Sequence, residues 1–225
     1  MKKITILLAD DHTIVREGFR KMLELEADFE IVGEAQDGRQ AVVMVKKLKP
    51  AVVLMDIAMP LLNGLEAARQ ILKDIPAARI LMLSAHADDA YVASATESGA
   101  AGFLLKQTSA HDVCQAIREV AAGKTYFSPA IARHFHRLNP LLPAHKGKLS
   151  AKIAQLTSRE MEVLQLIAEG KANKETAAEL GITLKTVEKH REHLMTKLDI
   201  HDTAGLTRYA VSAGIIESSV QLTIV

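Results

Sequence analysis

A single cysteine, Cys114, occurs in 225 residues, so no disulfide can form within the chain. That usage fits a reducing compartment, the cytoplasm. Cys114 falls on an apolar helical face, which favours core packing over a reactive thiol. No apolar run approaches the ~20 residues that a membrane-spanning helix needs, so no membrane partner is expected. Met1-Lys2-Lys3 and the short apolar stretch after it lack the small-residue cleavage site of a signal peptide. The stretch ends in two aspartates, and a buried strand is the reading it supports. Net charge is nearly absent too, at +1, but it is unevenly spread. Residues 1–122 carry 14 basic against 17 acidic residues, and residues 150–225 carry nine against ten. Residues 123–149 carry five basic and no acidic residues, with Pro129, Pro140, Pro143 and the histidines His134, His136 and His145. Such a stretch reads as a linker between two domains. With 48% apolar and 24% charged residues, each half is ordinary globular protein.

What the first half does contain is a set of short apolar runs, each closing on a polar residue. Ile4-Thr5-Ile6-Leu7-Leu8-Ala9 meets Asp10-Asp11, and Ala51-Val52-Val53-Leu54-Met55 meets Asp56. Ile80-Leu81-Met82-Leu83 meets Ser84, and Gly102-Phe103-Leu104-Leu105 meets Lys106. Strands are expected near residues 3–9, 30–34, 51–55, 79–83 and 102–105, with helical spacing between them (Ile14, Val15, Phe19, Met22, Leu23; Val42, Val43, Met44, Val45, Leu48). The runs are apolar on both faces, the mark of a parallel sheet covered by helices. Five βα units predict an α/β fold, a doubly wound five-stranded parallel sheet of flavodoxin-like type.

From residue 157 the pattern is helical throughout. Thr157-Ser158-Arg159-Glu160 is a capping box, followed by Met161, Val163, Leu164, Leu166, Ile167 and Ala168, with Gly170 as a stop. A second helix is expected over about 173–180, ending at Gly181. A third runs from the N-cap candidate Thr183 to about Leu198, with Leu184, Val187, Leu194 and Leu198 as its apolar face. A fourth spans about 203–214 and carries Leu206, Tyr209, Ala210 and Ala213, either as core or as a dimer surface. Two short helices hinged at a glycine before a longer, one-side-polar helix suggest a small all-α helix-turn-helix domain.

Parallel strands bring their carboxyl ends into one crevice, where open α/β sheets hold ligands. Asp10, Asp11 and Asp56 would then meet Ser84 and Lys106. Magnesium takes oxygen ligands and keeps several waters, so one or two carboxylates plus phosphate oxygens satisfy it. A carboxylate can also be the nucleophile that forms an acyl phosphate, and Asp56 stands alone at its strand end. The Lys106 ammonium and a metal ion would offset the repulsion between that carboxylate and a phosphoryl group. Ser84 can donate a hydrogen bond to a phosphate oxygen.

On these residues, about 3–122 of the chain resembles the receiver domain of bacterial two-component response regulators. The resemblance rests on Ala9-Asp10-Asp11-His12, Met55-Asp56-Ile57-Ala58-Met59-Pro60 with Gly64, Leu83-Ser84-Ala85 and Leu104-Leu105-Lys106. It implies Asp56 as phosphoacceptor, Asp10 and Asp11 as acids of a Mg2+ site, and the Ala58 backbone carbonyl as a further ligand. It also implies Ser84 and Phe103 as a switch pair, in which the hydroxyl moves toward the phosphoryl group and the ring turns inward. Read without the resemblance, Phe103 is simply core. Ala58 and His86 fall where the family varies and where side chains affect the loss of phosphate.

Leu156 to about Gly214 resembles the LuxR-type helix-turn-helix domain of the NarL/FixJ group. The match runs through Leu156-Thr157-Ser158-Arg159-Glu160, Val163-Leu164, Ala168-Glu169-Gly170-Lys171-Ala172-Asn173-Lys174-Glu175, Thr186-Val187-Glu188-Lys189-His190 and Lys197-Leu198. Thr176 departs from it, since the group usually has a branched apolar residue there. Lys174, Lys185, Lys189, Arg191 and Lys197 cluster around the second and third helices. Lys174, Lys185, Thr186, Glu188, Lys189, Arg191 and Glu192 are the DNA-contact candidates. Lys can contact guanine, and Glu can accept from cytosine N4. Glu188 and Glu192 serve equally well as salt-bridge partners of Lys185, Lys189 or Arg191. The group pairs its fourth helices over inverted half-sites, which would make Leu206, Tyr209, Ala210 and Ala213 dimer contacts.

The expected organisation is a receiver over 1–122, a linker over 123–152, a DNA-binding domain over 153–217 and a tail over 218–225. The implied partners are a sensor histidine kinase, double-stranded promoter DNA and, once phosphorylated, a second copy of the chain. The chain is read as a switch in transcription, not an enzyme. An aspartate-nucleophile phosphatase of the haloacid dehalogenase type is the rival reading, but that group has a second aspartate two residues after the nucleophile, where this chain has Ala58. A binding module that switches without phosphate is the other.

Overall fold

Six parallel strands form one sheet in the order β2-β1-β3-β4-β5-β6. They are β1 (Ile4–Ala9), β2 (Phe29–Ala35), β3 (Val52–Asp56), β4 (Ile80–Ser84), β5 (Gly102–Leu105) and β6 (Tyr126–Phe127). The computed structural model describes residues 3–85, 95–96, 98–127 and 155–216. The chain divides into two units, Met1–His145 and Lys146–Val225. His86, most of the basic stretch, the tail and most of the helical segment expected between β4 and β5 lie outside the described residues. Among the described residues no helix is long and apolar enough to cross a membrane.

Alternation along the strands explains the layers. Leu7, Ala9, Val53, Met55, Met82 and Phe103 enter one buried cluster, together with residues of α2 (Gly38–Leu48) and α3 (Gly64–Asp74). Ile6, Leu8, Val52, Leu54, Leu81, Leu83 and Leu104 enter the other, against α1 (Thr13–Glu24) and α4 (Ala110–Ala121). Both faces are therefore core, which is why the runs read as unbroken apolar sequence. Cys114, on α4, is in the second cluster and 4% exposed. Side chains cap the helices as their sequences imply: Asp37 accepts from Gln40 N–H, Asn63 from Glu66 N–H and Ser109 from Asp112 N–H.

The sheet extends one strand further than the five expected. Tyr126–Phe127 pairs with Gly102–Phe103, so the sheet continues past residue 122 into the stretch read as linker. A two-residue strand carries too little periodicity to be seen in sequence. Its apolar pair is half-buried against the core.

The second unit is helical: α5 (Ser158–Ala168), α6 (Asn173–Leu180), α7 (Leu184–Leu198) and α8 (Thr203–Ser212). The Thr157/Glu160 capping box forms, with Glu160 Oε2 accepting from Thr157 N–H at 2.8 Å. Thr183 caps α7 and Asp202 caps α8. Gly181 ends α6 at φ +62°, a left-handed conformation that suits glycine. Val187, Leu194 and Leu198 are fully buried, but Leu184 is 45% exposed, contrary to its expected place on the apolar face. It stands at the first position of α7, directly after the cap, and Val187 three residues later takes the inward position.

Candidate functional site

The order β2-β1-β3 means the chain leaves β1 in one direction for β2 and returns on the other side for β3. Strand ends diverge at that reversal and open a crevice above β1 and β3. Asp10 follows β1, and Asp56 is the last residue of β3. Asp10, Asp11, His12 and Asp56 each offer a ligand atom, all within 4.8 Å of one another. Lys106, just past β5, places its ammonium 2.9 Å from both Asp10 Oδ2 and Asp56 Oδ2. The Asp10 and Asp56 side chains are only 3% and 2% exposed.

Burial pushes the Asp56 carboxyl up to about 7; Lys106 draws it down, and Asp10 pushes it further up. Burial pulls the Lys106 ammonium the other way, yet Asp56 and Asp10 hold it above the usual lysine range. Asp10 and Asp56 thus share one ammonium, and Asp11 beside them adds a third carboxyl group to the cluster. Hard oxygen donors fit a divalent cation of the magnesium type. His12 was not singled out as a ligand by its sequence, and the structure brings it in. Its Nδ1 lies 2.8 Å from Asp11 Oδ1, and its backbone N–H donates to Asp10 Oδ1 at 2.8 Å. Adjacency to the acidic pair was its only signal.

Ser84 ends β4 and is 3% exposed; its carbonyl accepts from Lys106 N–H at 2.8 Å. Asp56 pairs in register with Leu83, so Ser84 sits one residue beyond it on the next strand. Phe103, 0% exposed, is beside Met82 in the buried cluster, with its ring inward. Ala58 is half-buried in the loop from β3 to α3. Gly64 closes that loop, its N–H donating to the Ile57 carbonyl at 2.8 Å. A Cβ on Gly64 would stand 2.0 Å from the Asp56 carbonyl oxygen, so only glycine lets α3 begin this close to Asp56.

In the helical unit, Lys174 and the α7 residues Lys185, Glu188, Lys189 and Glu192 are exposed. Among the described residues no ion pair joins Glu188 or Glu192 to Lys185, Lys189 or Arg191. The Thr186 hydroxyl lies 2.8 Å from that of Thr183, within the α7 cap.

Residues 6–118 match the response regulator receiver domain, and residues 154–210 match the bacterial regulatory proteins of the luxR family. The chain belongs to the response regulators with a LuxR-type output domain. Its relatives include the transcriptional regulatory protein LiaR of Bacillus subtilis (strain 168), 39% identical over 92% of this chain and 96% of LiaR. Among solved structures, the RcsB response regulator of Salmonella typhimurium shares 27% identity and a TM-score of 0.56, over 93% of this chain and 100% of RcsB. A complex of RcsB with DNA gives 27% identity and a TM-score of 0.56, over 94% of this chain and 99% of that one. The receiver match decides against a haloacid dehalogenase type of site. This protein is a DNA-binding transcription regulator.

Two sets of expected residues are placed differently in this response regulator. Leu206 and Ala210 are fully buried and Tyr209 is 7% exposed, facing the core of their own unit, where α8 packs on α5. Burial pushes the Tyr209 phenol up to about 12. These three are core, not a dimer surface, because the unit needs them to cover α5; Ala213 is half-buried. Arg191 is not free to reach DNA as placed. Its guanidinium donates to Asn173 Oδ1 at 3.1 Å and Thr203 Oγ1 at 2.6 Å, tying α6, α7 and α8 together. Lys197 is likewise spent on Glu160, at 2.6 Å.

Proposed function

We propose that Asp56 accepts a phosphoryl group from a partner histidine kinase and that this event controls DNA binding by the output domain. The observation that carries it is the shared placement of Asp10, Asp11, Asp56 and Lys106 at the reversal of the sheet. The Asp56 carboxylate oxygen attacks phosphorus, the bond to the donor breaks, and an acyl phosphate results. Asp10, Asp11, Asp56 and the Ala58 carbonyl would hold Mg2+, which supplies positive charge against the phosphoryl oxygens. Lys106 adds its own charge to the same oxygens, and Ser84 donates a hydrogen bond to one of them.

Ser84 and Phe103 then carry the change: the hydroxyl is drawn toward the phosphoryl group, and phosphorylation holds the Phe103 ring in the inward position it already occupies here. Phosphorylated chains pair as homodimers, and the exposed face of α7 reads promoter DNA through Lys185, Glu188, Lys189 and Glu192, with Lys174 on phosphate. The solved complex of RcsB with DNA supports that output. Acetyl phosphate with magnesium tests the chemistry. Wild type should acquire an acid-stable, base-labile label that Asp56→Asn lacks. Undiminished labelling of Asp56→Asn would move the phosphoacceptor elsewhere.

A further inference from the structure

Arg16 is a buried charge that the phosphoryl chemistry does not use. Its side chain is 6% exposed and lies on the inner side of α1, two turns before Leu23. A guanidinium cannot shed its proton, so its donors must find partners when it is buried. Nη1 donates to the main-chain carbonyl of Asp10 at 2.8 Å, and Nε donates to Glu34 Oε2 at 2.9 Å. Glu34, near the end of β2, is also paired with Arg20, one turn further along α1. The next residue, Ala35, accepts from Asp10 N–H at 3.2 Å through its own carbonyl. Both peptide groups of Asp10 are thus held from the β2 side, the first by Ala35 and the second through Arg16 and Glu34.

We propose that Arg16 is a positioning residue for the acidic centre. The peptide joining Asp10 to Asp11 is planar, so fixing its carbonyl oxygen also fixes the Asp11 N–H. That grip sets the directions in which the Asp10 and Asp11 side chains leave the backbone. Magnesium demands near-octahedral oxygens, and a few tenths of an ångström at two carboxylates change its affinity. Partners one layer out from ligands characteristically tune metal binding in this way. Glu34, shared with Arg20, offsets part of the Arg16 charge beside the site. The planar fork matters because it serves two acceptors at once, which an ammonium cannot do in the same geometry. The inference rests on Asp10 and Asp11 being the metal acids.

The test measures Mg2+ binding to the full-length chain by calorimetry, alongside acetyl phosphate labelling at increasing magnesium. Arg16→Gln should weaken Mg2+ binding about tenfold or more. Its labelling should reach the wild-type plateau rate once magnesium is raised, which a damaged phosphoacceptor would not allow. Arg16→Lys keeps charge and stem, so it should fold and lose less, yet still shift the half-saturating magnesium. Glu34→Gln should shift it in the same direction, and the double variant should be no weaker than Arg16→Gln alone. A purely structural Arg16 would lower the thermal midpoint and leave magnesium affinity at the wild-type value. That result in either folded Arg16 variant overturns the proposal. Failure of wild type itself to bind Mg2+ would instead overturn the reading of the metal centre.

Discussion

Thr176 is fully buried in α6, and among the described residues its hydroxyl has no hydrogen-bond partner. Leaving such a group unmade costs about 1–3 kcal/mol, whereas replacing it with an apolar group of the same shape removes the cost. Thr176→Val should therefore stabilise the output domain by about 1 kcal/mol, raising the urea midpoint with no change in slope. A lower midpoint would mean the hydroxyl is satisfied in solution. The departure of Thr176 from the family pattern was visible in the sequence. Its burial was not, since a threonine on a short polar helix is as readily solvated. The reverse holds for Asp56: solitary at the end of an apolar run, it was legible as a candidate nucleophile. Its raised pKa comes from burial beside Asp10, which only the packed sheet supplies.

Two elements of the output domain make separate demands on charge. At the start of α5, burial raises the Glu160 carboxyl, but hydrogen bonds from Lys197 and Thr157 outweigh it and leave the group below its usual 4.5. A depressed carboxyl stabilises the fold above its unfolded value, and that contribution is lost as pH falls through the folded one. Glu160→Gln can keep the capping box, so it should cost about 1 kcal/mol at neutral pH. It should also flatten the loss of stability below about pH 4.5, measured by thermal unfolding across a pH series. An unchanged acid slope would assign that loss to other carboxylates. Along α7, Lys189→Ala should weaken specific DNA binding by about 1–3 kcal/mol, while Glu188→Ala should relax sequence preference and strengthen non-specific binding. Gel-shift titrations with matched and mutated sites separate the two. Unaltered affinity and site preference in both variants would remove this face from DNA reading.

For the whole molecule, the proposed switch is a bias between two arrangements of the units. Moving such an equilibrium from 1:99 to 99:1 takes about 5.5 kcal/mol of differential stability. In that switch the unmodified receiver keeps α7 from binding DNA, and phosphorylation releases it. Residues 150–225 alone should then bind target DNA without phosphate, and the full chain should bind it well only when phosphorylated. The fragment lacks receiver-driven pairing, so the comparison needs DNA with both half-sites and a concentration series. Equal binding by the modified and unmodified full chain across that series would sink the release mechanism.

The sequence by itself determined the strand runs, their polar ends, the caps at Thr157 and Thr183 and the helix stop at Gly181. Each is set by a few neighbouring residues, so each is written locally. Periodicity also told which residues share a face of a helix. It could not tell which neighbour covers that face, and there the tertiary structure decided. Leu206, Tyr209 and Ala210 face α5 instead of a second chain, and Leu184 faces outward because Val187 fills the inner position. Arg191 and Lys197 are bound to partners 12 to 42 residues away. Arg16 meets Glu34 because β2 lies beside β1, an adjacency that strand order creates. Contacts between distant segments depend on the order and handedness of the crossovers, which no local stretch of the chain encodes.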